Sequence, residues 1–117
     1  MARLISETKG TVVAEDLRLA DGIWSRFWGL MGRKGLPEDA GLLLRPSSSI
    51  HTAFMRFAID VVFLDRSLRV VKVVPNMKPF RATMAFGSAH SALELNAGVA
   101  ASALVETGDQ LAMVGEE

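Results

Sequence analysis

Two carboxylates in this chain stand where carboxylates are expensive. Asp60 lies inside the apolar string FAIDVVFLD, and Glu94 lies between Leu93 and Leu95. An ionised carboxylate in such company costs several kcal/mol unless it is paired or bonded to backbone donors, so both acids are expected to have partners. For Asp60 the expected role is to bond the amides of a bend between two strands, the alternative being a general base or a ligand contact. For Glu94 the candidate partners are Arg56 and His51. His51 titrates near neutrality and suits proton exchange in a pocket, although a lone strand histidine also serves as a hydrogen-bonded packing residue. On a strand, His51, Ala53, Met55 and Phe57 share one face while Thr52, Phe54 and Arg56 share the other, so His51 and Arg56 diverge.

Three function classes follow. The leading expectation is a binding module whose shallow polar pocket is built from His51, Thr52, Met55, Arg56, Asp60, Glu94 and Asn96, for a small polar or anionic ligand. The second is a hydrolase or lyase that moves protons with His51 and either Asp60 or Glu94. The third is a protein-interaction module that docks through an aromatic stripe or a sheet edge. A serine hydrolase drawn from Ser49, His51 and an acid lacks the nucleophile-elbow sequence that would expose the serine. Asp60 and Glu94 supply two carboxylates for glycoside hydrolysis, but nothing in their spacing sets them across a cleft. There is no cysteine and there are only two histidines, His51 and His90, so thiolate chemistry is excluded and no metal is expected. No phosphate-binding loop or other cofactor motif is present, and a net charge of zero without a recognition motif argues against nucleic acid.

The elements that must position these residues read as mostly β. Thr11 to Leu19 has strand composition. Asp21 is a candidate N-cap for a helix from about Ile23 to Met31, where Trp24, Phe27, Trp28 and Met31 form one apolar stripe that suits core packing. Gly41 to Leu44 reads as a strand ending at Arg45-Pro46, and the serines 47 to 49 as a turn. Val61 to Leu64 and Val70 to Val74, apolar on both faces and joined by Asp65-Arg66-Ser67, predict an antiparallel hairpin at the heart of the domain, covered by another sheet and by the tryptophan helix. Pro75 to Ser91 reads as a long connection with a brief strand near Ala82 to Phe86. Leu93 to Leu95 resumes a strand, Asn96 is the expected cap of a helix from about Gly98 to Val105, and Gln110 to Val114 forms the last strand.

Length and composition agree with a single domain over residues 1–117: half the residues are hydrophobic and 22% are charged. Charge is uneven. Residues 1–44 carry six basic and six acidic groups, residues 45–81 seven and two, and residues 82–117 none and five. The acidic tail is therefore expected to pack beside the basic middle, unless Arg45, Arg56, Lys72, Lys78 and Arg81 converge on an anion. No apolar stretch reaches the ~20 residues that cross a bilayer. The opening MARLISETKG has no apolar leader region, which reads as cytoplasmic; a leader removed beforehand would instead make the chain exported or periplasmic.

Three blocks resemble the DUF192 family: Gly29-Leu30-Met31 at the helix, HTAFMRFAIDVVFLD in the centre, and LELNAG from Leu93 to Gly98, closing with Gly108-Asp109. The match spans nearly the whole chain. The resemblance implies a small β-sandwich or barrel, jelly-roll-like, with one or two short helices and no established reaction. This chain departs from the family pattern in two places: Ser47, Ser48 and Ser49 stand where many relatives place a cysteine, and Ala58 stands where a proline often precedes the central aspartate.

Overall fold

The computed structural model describes residues 2–21, 36, 39–51, 57–79 and 81–115. Nine strands are described: β1 (Ala2–Ser6), β2 (Thr11–Asp21), β3 (Ala40–Arg45), β4 (Ser49–His51), β5 (Ile59–Leu64), β6 (Val70–Met77), β7 (Ala82–Met84), β8 (Ser91–Asn96) and β9 (Leu111–Gly115); one helix, α1 (Val99–Ser102), precedes β9. The fold is mainly β. Seven strands form one curled half-barrel sheet in the order β6-β5-β8-β3-β2-β1-β9, and β4 pairs with β7 in a separate ribbon. Every pairing is antiparallel except β2 with β3. The helix expected over Ile23 to Met31 lies outside the described residues, and none of the described helices is long and apolar enough to cross a membrane.

The curl brings the two edge strands together at one end. Val70 N donates to Asp109 O (2.9 Å), Gly108 N to Val70 O (2.8 Å) and Leu111 N to Leu68 O (3.0 Å), so the starts of β6 and β9 are stitched across the opening. The inner face carries Leu4, Leu17, Leu43, Val62, Leu93, Leu95 and Leu111, with Ala100, Ala103 and Val105 of α1 and its following turn closing over them. The outer face carries Leu44, Ile59, Val61, Phe63, Met77 and Ala92, with Leu36 and Phe57 packed against it. Every residue of β5 is buried, so this strand is covered on both sides. Each large side chain removed from water here stabilises the fold by about 2 kcal/mol.

Gly41 marks the tightest backbone approach of the inner face. A Cβ there would lie 3.1 Å from the Ala14 Cβ and 3.1 Å from the Leu95 Cδ2, and Leu95 is fully buried with nowhere to retreat. Gly41→Ala is therefore expected to cost about 1–3 kcal/mol, read as a shift in the urea midpoint without a change in slope.

Four sequence expectations need correcting. β5 and β6 do form an antiparallel hairpin, but β8 and β3 hold the centre and β6 is an edge. Lys72, Pro75 and Asn76 of β6 are exposed, and a proline, lacking an N–H to donate, suits an edge strand. For the same reason β6 runs through Pro75 to Met77, where a connection was expected. The second sheet is only the short β4–β7 ribbon. Finally, the chain starts with a strand, β1, whose alternation is too brief to stand out in sequence.

Candidate functional site

Asp60 is 1% exposed and sits on the inner face, opposite Leu95. Its Oδ1 accepts from Asn76 N (2.8 Å), and its Oδ2 accepts from Gly98 N (3.0 Å) and Ala100 N (2.9 Å). The first bond holds a bulge: between the pairs Ile59–Met77 and Val61–Val74, β6 uses one residue more than β5, and Asn76 takes a φ of 50°. The other two cap α1, whose N-cap is Gly98 and has no side chain to do so. Asn96 was the expected cap; a carboxylate from β5 performs that task across the sheet. Both Asp60 oxygens are occupied by three backbone donors from β6 and the start of α1, so its place is that of a fastener.

Glu94 points the other way. Its cross-strand neighbours are Leu42 on β3 and Val61 on β5, both on the outer face. It is 5% exposed, and none of the described residues gives its carboxyl a hydrogen bond or an ion pair. Burial alone pushes this carboxyl up to about 7, because the charged form has lost its water. Asn96 follows on the same face. Its Oδ1 accepts from Leu36 N and its Nδ2 donates to Leu36 O, both at 3.3 Å, so the amide imitates a strand neighbour and pins the chain at Leu36 onto the outer face. The structure thus brings Glu94 and Asn96 together and sets Asp60 on the opposite side of the sheet.

His51 ends β4, where its backbone faces Ala82. Thr52, Met55 and Arg56 lie outside the described residues, as do Trp24 and Trp28. Near β4 the chain forms a shallow hollow of about 250 Å³ lined by Pro46, Ser47, Ser48, Ser49, Ala89 and His90. Ser47 N donates to His90 O (2.8 Å) and Ser47 Oγ donates to Ser49 O (2.9 Å). Among the described residues no hydroxyl bonds the His90 imidazole. This neighbourhood had no sequence signal, since some forty positions separate the serines from His90. No group of three metal-ligating side chains converges among the described residues. The final segment packs beside the basic middle, where Arg69 Nη1 donates to Gly108 O (2.8 Å), while its acids Glu106 and Asp109 are held by Lys9 of the first segment, whose Nζ donates to both.

With this geometry in hand, the chain can be placed among known proteins. The DUF192 family, described as uncharacterized ACR, COG1430, matches residues 4–113. The chain belongs to the DUF192 family. Among curated relatives, a UPF0127 protein of Pyrococcus furiosus is 34% identical over 113 residues, covering 92% of this chain and 95% of that one. A UPF0127 protein of Thermococcus sibiricus is 35% identical over 118 residues, covering 97% and 76% respectively. Two crystal structures share the fold. One is a protein of unknown function from Novosphingobium aromaticivorans, with a TM-score of 0.80 at 22% identity over 95% of this chain and 82% of that one. The other, from Sinorhizobium meliloti and named as a candidate transcription regulator, has a TM-score of 0.81 at 24% identity over 96% and 91%. At such identity the likeness concerns the fold alone. The DUF192 family as a whole is one of uncharacterised function.

Proposed function

We propose that this DUF192 chain is a binding module that holds a small polar or anionic ligand over the outer face of its sheet, with Glu94 at the floor and Asn96 beside it. The observation that carries this reading is the Glu94 carboxyl, buried and without a bond from any described residue. A group kept at that cost suits a task other than stability. A carboxyl that protonates near pH 7 offers one donor and one acceptor, so it meets an anionic or neutral ligand without repelling it. Phe57 packs on this same face, and the remaining contacts are assigned, as part of the proposal, to His51, Thr52, Met55 and Arg56, which precede it in sequence. Asp60 takes no part, its oxygens being engaged on the inner face.

A second reading is favoured by the same titration. A carboxyl poised near neutrality suits a general acid or base, which is what a hydrolase or lyase using Glu94 with His51 would need. Thermal-shift screening against small polar and anionic compounds tests both. A ligand at a hundredfold excess over Kd adds about 2.7 kcal/mol to the stability of the native state, and the rise in Tm is expected to disappear in Glu94→Met, which offers the ligand no N–H or O–H donor and no oxygen acceptor. Equal shifts in both proteins would remove Glu94 from the site, and turnover of the bound compound would move the reading to the enzyme.

A further inference from the structure

Between Asp65 and Glu94 the chain contains Arg66, Arg69, Lys72, Lys78 and Arg81 and no acid at all. That stretch builds the edge strand β6, the ribbon strand β7 and the loop leading into β8. In the loop Phe86 is 84% exposed, the largest value among the exposed large hydrophobics, and Met84 two residues earlier is 49% exposed. Gly87 follows with a φ of +81°, which turns the chain immediately after the ring. Lys72 Nζ donates to Thr83 Oγ1 (3.3 Å) and to Met84 O (2.7 Å), which fixes an ammonium beside the apolar pair on two neutral acceptors. Lys78 and Arg81, both exposed, precede β7.

We propose that the Phe86 loop and the β4–β7 ribbon form a docking surface for an anionic lipid bilayer. Apolar side chains presented on a loop, with cations beside them, are what a headgroup region accepts: the ring enters the boundary with the acyl chains while ammonium and guanidinium groups meet phosphates, and no shape complementarity is required. A stable protein partner would need about 1,200 Å² or more of total buried surface, which strands of three residues do not offer. A single-stranded nucleic acid would need successive aromatic platforms, and Phe86 is the one aromatic among the exposed large hydrophobics of the described residues.

The test is co-sedimentation of the full chain with vesicles of phosphatidylcholine alone and of phosphatidylcholine mixed with phosphatidylglycerol. Binding is expected only to the mixed vesicles and to be lost near 1 M salt, where the Debye length is about 3 Å. Phe86→Ser removes a side chain that the fold leaves in water, so the variant folds, and its partition is expected to fall about tenfold. Leu104→Ser, at an exposed position in the turn after α1, keeps the wild-type partition. Equal binding to neutral and mixed vesicles, an unchanged Phe86→Ser partition, or tighter binding to a single-stranded oligothymidine at matched salt would each overturn the proposal.

Discussion

Replacing Glu94 by glutamine is expected to stabilise the folded chain at pH 8 by about 3 kcal/mol. The carboxyl titrates at 4.5 when the chain is unfolded and at about 7 in the fold. Between those values the native state holds the proton and the unfolded state has released it, so stability declines as pH rises. The loss is complete above the folded value and amounts to about 1.4 kcal/mol for each pH unit of the interval. Glutamine has nearly the same shape and carries no charge, so its stability profile is expected to be flat where that of wild type slopes. Urea unfolding at pH 5 and pH 8 reads the difference directly. Parallel profiles would mean that Glu94 keeps its charge at no cost, and with that the reason to regard it as a ligand group would go. A gain in stability in Glu94→Gln together with a loss of binding in Glu94→Met is the pattern expected of a group retained for function.

Asp60→Ala is expected to act in the opposite direction, destabilising the chain by about 3–5 kcal/mol at neutral pH. It leaves the amides of Asn76, Gly98 and Ala100 without their acceptor, each in a part-buried or buried setting where an unmet donor costs about 1–3 kcal/mol. Asp60→Asn cannot restore all three bonds. One carboxylate oxygen becomes an NH₂ that faces backbone donors, so either the β6 bulge or the α1 cap loses its partner. Circular dichroism with urea unfolding would measure both variants. If Asp60→Asn matched wild type, the three bonds would contribute little, and the carboxylate would be open to a role beyond fastening.

The composition of the strands made the fold class legible. Alternation and β-branched runs located β2, β3, β5, β8 and β9 to within a few residues, the family blocks spanned the chain, and the absence of cysteine excluded thiol chemistry outright. The two acids were equally visible, because polar residues in apolar strings announce themselves. What no pattern along the chain could reveal was which way each acid points. A strand residue faces one side or the other according to its register with distant partners, and a shift of one residue reverses every side chain. Asp60 lies opposite Leu95, and Val61 lies opposite Glu94, so the two carboxyls end on opposite faces although sequence reasoning placed them in one pocket. Likewise the donors that satisfy Asp60 come from 16 to 40 positions away. Local chemistry predicts that a buried charge needs partners; three-dimensional packing alone says whether Asp60 or Glu94 receives them.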